Sequence, residues 1–368
     1  MRVRRIHVTL ALATALACTG ALSGCRDRAR DPGDPSVRAW ALHLADDDVV
    51  IRSDDGGATW TEAARFPYDP ERLVGELADI GFADAERGWA VGGNLLLETT
   101  DGGSSWADVL PRVPIPADVR PRLFAIAVDA SGTAVAVGDE LPLPPPLITG
   151  PPLIFRTADR GASWAPARID PAIERVVTLH DVCLSSGVGI ATGNGTQGNA
   201  TFRTRDGGAT WQEITARVGG HEVACAQGAL WVMSMRGLAR STDAGESWSD
   251  LSSGVPSRVQ YLGPIAFADP DHGWAGGFGD AGSLLLHSQD GGASWRRQAL
   301  PRGRSREEPG AGVADMAFVS PSRGVAVGAR GGVAAAFHTG DGGATWLQAV
   351  VPELVGTRFV AVAAVAGE

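Results

Sequence analysis

The sequence predicts an all-β chain: a single seven-bladed β-propeller with one tight turn repeated in each blade and a C-terminal strand that completes blade one. Two observations predict it. The segment Ser/Thr-x-Asp-x-Gly-x-Ser/Thr-Trp recurs seven times, at Ser53, Thr99, Thr157, Thr204, Ser241, Ser288 and Thr339, ending on Trp60, Trp106, Trp164, Trp211, Trp248, Trp295 and Trp346. Those tryptophans stand 37 to 58 residues apart, close to one four-stranded blade, so seven turns read as seven blades.

The turn follows from its residue types. An Asp carboxylate accepts hydrogen bonds from the amides of a tight turn, the Gly supplies a positive φ, and the hydroxyl residues close the loop. The Trp then turns inward as a large apolar wedge. Asp55, Asp101, Asp159, Asp206, Asp243, Asp290 and Asp341 therefore read as turn staples, because seven equivalent copies at one corner suit shape better than chemistry.

Strands follow from alternation and turn signals. In the second blade the reading is Leu77 to Ala83, Gly88 to Gly92, Leu95 to Thr99 and Trp106 to Leu110. Blade one begins at Trp40 to Leu44 with no preceding strand, while Arg358 to Val365 has strand character and no blade of its own. Pairing these two segments closes the ring and removes open edges.

Gly88-Trp89-Ala90-Val91-Gly92, Gly273-Trp274-Ala275-Gly276-Gly277 and Gly324-Val325-Ala326-Val327-Gly328 each precede a turn, with echoes at Val135 to Gly138 and Gly189 to Gly193. With the turns, they resemble the Asp-box (BNR) repeats of the photosystem II stability and assembly factor-like propellers over nearly the whole mature chain. The resemblance implies a non-enzymatic scaffold that presents an arginine-bearing face to a membrane-protein client.

The N-terminus opens with Arg2, Arg4 and Arg5, continues through an apolar stretch from Val8 to Leu22, and reaches Leu22-Ser23-Gly24-Cys25. That pattern is similar to a lipoprotein signal over residues 1–24 with lipidation at Cys25, a solvated tether over 25–36 and the propeller over 37–368. Residue 26 is Arg, not the Asp that commonly retains lipoproteins at the inner membrane, which favours the periplasmic side of an outer membrane. The 32 basic residues are all Arg, and loss of residues 1–24 removes three, leaving 32 − 3 = 29 against 42 acids, a net charge of 29 − 42 = −13. Such an acidic body disfavours nucleic acid. A monomer held to the membrane by its lipid alone is expected.

Cys183 and Cys225 remain after export, and alignment by blade places both at the same position of adjacent innermost strands. They read either as a disulfide in an oxidising compartment or as two small buried thiols. Neither a metal site nor a cofactor is expected, since the histidines show no ligand spacing.

Antiparallel alternation sorts the loops onto two faces. The boxes fall on one. Irregular insertions fall on the other, at Leu141 to Pro152, Gly193 to Ala200, Gly277 to Gly282 and Ala329 to Gly332. Every connector into an inner strand on that second face carries an arginine: Arg72, Arg122, Arg175, Arg217, Arg258, Arg306 and Arg358, with Arg112, Arg120, Arg168, Arg302 and Arg304 nearby. Guanidinium groups on an acidic body steer and hold carboxylates or phosphates. The competing reading is a sialidase-like glycoside hydrolase at the channel mouth, which would need a Tyr nucleophile beside a Glu. Only Tyr68 and Tyr261 are present.

Overall fold

In the computed structural model the chain divides into Met1–Asp31 and Pro32–Glu368. The structure describes residues 34–67, 77–140, 151–170, 177–195, 198–214, 219–235, 237–257, 259–279, 282–301, 312–330, 333–354 and 358–367. The leader, Cys25 and most of the tether lie outside them.

Seven antiparallel sheets form seven blades, each with an inner strand A and an outer strand D. The A and B strands are Asp79–Phe82 and Gly88–Gly92 in blade two, Pro121–Val128 and Ala134–Glu140 in three, and Val177–Ser185 and Val188–Gly195 in four. They are Glu222–Ala226 and Ala229–Met233 in five, Val259–Phe267 and Gly273–Gly279 in six, and Gly312–Phe318 and Gly324–Arg330 in seven. Blade one takes Arg358–Ala366 as strand A, paired antiparallel with Val37–Leu44 from Val37 opposite Ala366 to Leu44 opposite Arg358. The C-terminal strand therefore completes the first blade.

Three features depart from the expected pattern. The insertions in blades four, six and seven continue the β-hairpin, pairing Gly195 with Gly198, Gly279 with Gly282 and Arg330 with Val333. The connector after blade three adds Arg168–Ile169 as a fifth strand of blade four, parallel to Thr210–Glu213. Strand D is short in most blades, only Ala107–Asp108 in blade two.

The repeated motif is explained by what its residues touch. Trp40 on strand B of blade one lies flat on Phe82 of the next strand A, ring centroids 3.6 Å apart, and its indole donates to the carbonyl of Gly102 in the next box. Trp231 repeats this with Phe267 and Gly291, and Trp274 with Phe318 and Gly342. Each Phe then meets the box tryptophan of its own blade edge-on, at 6.0 Å for Phe82 and Trp106. Three rings thus mortar one blade to the next. The opening Gly of the motif seats that Phe: a Cβ at Gly88, Gly273 or Gly324 would collide with the ring of Phe82, Phe267 or Phe318. The closing Gly has a different cause. Strand A bulges in blades three, four, six and seven, pressing a carbonyl against Gly138, Gly193, Gly277 and Gly328 where a side chain would not fit.

Cys183 and Cys225 are joined by a disulfide, Cα to Cα 5.6 Å. The expected equivalence of position is incorrect by one residue. Cys183 pairs with Ile190, whereas Cys225 pairs with Leu230, one step beyond the residue opposite Trp231. Side chains alternate between the two faces of a strand, so two equivalent cysteines would face the same way around the ring. The offset turns Cys183 forward and Cys225 back, and their sulfurs meet.

Candidate binding face

The boxes consume their own polar groups. In the first, Ser53 Oγ donates to Asp55 Oδ1 at 2.7 Å and accepts from the Gly57 amide at 2.8 Å, while the Thr59 amide and hydroxyl donate to the two Asp55 oxygens at 2.9 and 2.6 Å. The Trp60 indole closes the turn on Gly57 O at 2.9 Å. The Ser/Thr-to-Asp bond recurs in all seven boxes. Hydrogen bonds stabilise the ionised form, and those from Ser163 and Thr157 hold Asp159 down to about 2.

The opposite face is built by the connectors into strand A and the B-to-C hairpins. Among the described residues it carries three of the four exposed large apolar side chains: Met235, Tyr261 and Val333. Between blades two and three the connector folds over a short 3-10 turn, Leu110–Arg112. It forms a cavity of about 510 Å³ lined by Leu110, Val113, Ile115, Val119 and Arg120 among others.

Of the seven connector arginines, the structure describes the side chain of Arg122 alone. Arg72, Arg175, Arg217, Arg258 and Arg306 lie outside the described residues, and Arg358 is described only through its backbone as the first residue of the closing strand. Arg122 is turned inward. Its Nε and Nη2 grip both oxygens of fully buried Asp139 at 2.9 and 2.6 Å. Asp139 also accepts from Thr178 of blade four at 2.6 Å. The guanidinium neutralises a buried charge, so the expected rim role for Arg122 gives way to a tie within blade three and onto blade four. Arg112, Arg120 and Arg168 are exposed, Arg168 beside Asp170 at 2.9 Å.

The centre of the ring holds a feature the sequence reading passed over. Asp79 accepts from its neighbour's amide, Ile80 N, and from Ile126 N of the next blade, both at 2.8 Å. Asp181 takes Val182 N and Val223 N at 2.8 and 2.6 Å, and Asp315 takes Met316 N and Val362 N, both at 2.7 Å. Three carboxyls therefore clasp blade two to three, four to five, and seven to one. A signal was present: an Asp at the same place in Leu77-Ala78-Asp79, Leu179-His180-Asp181 and Val313-Ala314-Asp315. Glu222 stands at that place in blade five. Burial pushes Asp79 and Glu222 up to about 7, against the two amide bonds of Asp79. Burial and the neighbouring carboxyls also raise Asp181 and Asp315.

Tyr261 begins blade six at this end of the ring, stacked on His221 at 5.4 Å, and His221 Nε2 donates to Leu262 O at 2.8 Å. Burial and the charge of Glu222 keep the phenol proton in place, raising its pKa. Among the described residues no group of three His, Cys, Asp or Glu gathers as a metal site would require.

Seven sheets, seven Asp boxes and a C-terminal strand in the first blade define the class, a seven-bladed Asp-box propeller. Residues 71–228 match the family described as photosynthesis system II assembly factor YCF48. The chain is 28% identical over 255 residues to the photosystem II assembly lipoprotein Ycf48 of Synechococcus sp. (strain CC9902), covering 67% of this chain and 68% of that one. It is 24% identical over 305 residues to the chloroplastic photosystem II stability/assembly factor HCF136 of Arabidopsis thaliana, covering 76% and 68%. A solved structure of YCF48 bound to a D1 peptide shares the fold with a TM-score of 0.52 at 23% identity, covering 74% of this chain and 81% of that one. Over these spans the chain is similar to the photosystem II assembly factor propellers.

Proposed function

We propose that this propeller is a non-enzymatic assembly scaffold, lipid-anchored through Cys25 on the outer side of the cytoplasmic membrane or on the periplasmic face of an outer membrane, that holds an acidic segment of a membrane-protein client on its connector face. One observation carries the reading: the box face spends the Ser, Thr and Asp groups of its boxes on its own turns, while the opposite face presents the cavity, exposed apolar side chains and exposed Arg120. Function concentrates in variable loops on a rigid frame. Relatives named as assembly lipoproteins support both the role and the anchor. The box Asp and Trp residues serve shape in this reading.

The test is capture of the intact lipoprotein from its own membranes beside a version carrying Arg120→Glu, Arg175→Glu and Arg258→Glu. Arg122 is left intact because it supports the fold. Loss of one or a few membrane proteins from the altered version supports the reading, and equal recovery overturns it. The proximity of Tyr261 and Glu222 motivates a hydrolase reading as the rival. Turnover of fluorogenic sialosides that disappears in Tyr261→Phe would establish that rival in place of the scaffold.

A further inference from the structure

The seven seams between blades are not equally mortared. Where Trp40, Trp231 and Trp274 stack on the next strand A, the rings fill the seam. At the seam between blades four and five the Trp position is Ile190, opposite Cys183, and the place taken elsewhere by Phe82 or Phe267 is held by Cys225. The apolar cluster there has four buried members, Ile190, Val223, Leu230 and Val232, against fourteen in the cluster between blades five and six. Half-buried Val188, Ile214 and Trp248 pack against the smaller cluster, and polar contacts add Arg203 to Gly245 O at 2.9 Å, Arg203 and Arg205 beside exposed Glu246, and Gln227 N to Ser185 Oγ at 3.0 Å. Exposed ion pairs add little. The disulfide sits between the Asp181 clasp and the Ser185 contact, where the aromatic stack is missing.

We propose that Cys183–Cys225 is a redox-operated clamp on a seam with a small apolar cluster among the described residues, opened by a dithiol reductant of the extracytoplasmic space. The reductant's thiolate attacks one sulfur, and a mixed disulfide forms as the Cys183–Cys225 bond breaks. Its second thiol then displaces the remaining cysteine. Two electrons and two protons pass to Cys183 and Cys225, and the reductant leaves as its own disulfide. Both cysteines are half-buried, not sealed, which admits a small dithiol. A cross-link over a sequence separation of 42 residues restrains the open chain strongly, so its loss falls on a seam that has no aromatic stack and, among the described residues, a small buried apolar cluster.

The experiment uses the folded full-length protein with dithiothreitol as the probe, thiols located by mass mapping and backbone opening read by hydrogen exchange. Reduction is expected to free thiols at Cys183 and Cys225 and to speed exchange in Val177–Ser185, Glu222–Ala226 and Ala229–Met233 by roughly a hundredfold. Val259–Phe267 and Gly273–Gly279 should keep their protection. A Cys183→Ala/Cys225→Ala protein should match the reduced pattern and ignore the probe. Failure of the folded protein to release these thiols overturns the proposal. So does a reduced protein with unchanged exchange at this seam, or one that loosens first at another.

Discussion

The indole of Trp274 lies against the ring of Phe318 from the next blade with centroids 3.5 Å apart and planes within 7°, and its nitrogen donates to Gly342 O at 3.1 Å. One side chain thus joins strand B of blade six, strand A of blade seven and the box of blade seven. Trp274→Ala is expected to lower unfolding free energy by about 3–5 kcal/mol, measured by urea titration. Phe318→Ala should fall in the same range, and the double substitution should cost less than the sum, since the rings share one contact.

The pairing of Val37–Leu44 with Arg358–Ala366 predicts that a chain ending at residue 354 exposes the long free edge of Val37–Leu44. Size-exclusion chromatography should show aggregates or an expanded species, and circular dichroism a loss of cooperative melting. A compact monomer with the parent melting curve would show that the closing strand adds nothing.

Arg122 and Asp139 predict an asymmetric result. Arg122→Ala leaves a buried carboxylate without its cation and should destabilise by about 3–5 kcal/mol. Arg120→Glu, on an exposed side chain, should change stability by roughly 0.5 kcal/mol or less. Parallel thermal melts separate the two, and a match between them would remove the Asp139 tie from the account.

The central carboxyls set a pH dependence whose sign differs from the usual one. Asp79 and Glu222 titrate near 7 in the fold and near 3.8 and 4.5 when free. Between those values the folded protein holds protons that the unfolded chain has released, so stability falls as pH rises from about 4 to 7. The boxes act in the other direction. Their lowered carboxyls, such as Asp159 at about 2, give stability that is present above about pH 4 and lost as pH drops toward 2. Melting temperature against pH should therefore peak on the acidic side of neutrality, and Asp79→Asn should flatten the upper limb. A curve that climbs steadily from pH 4 to 8 would contradict this.

The blade count, the strand order and the closing strand were legible because the Asp box is local. Its hydrogen bonds run within eight residues, so the residue pattern carries the geometry. The aromatic mortar was half legible, since Trp274 stood out in the motif while its partner Phe318 lies in another blade. The Asp clasps and the Arg122 tie were missed because each joins groups far apart in the chain, 47 residues for Asp79 and Ile126 and 39 for Asp139 and Thr178. The cysteine offset needed the register of strand A against strand B, which a bulge shifts between Leu179 and Asp181. Arg122 shows the limit for the site itself: composition placed an arginine on the rim, and packing turned it inward.

Blade one also bears on how the protein is made. Its two innermost strands come from opposite ends of the ring's sequence, so a chain that emerges from its N-terminus can build blades two to seven in order yet cannot lock until its last strand arrives. Until then Val37–Leu44 waits with one side open. Biogenesis of this ring is therefore vulnerable to stalling or clipping near the end of synthesis, and a tag appended directly to Ala366 loads the one strand on which closure depends.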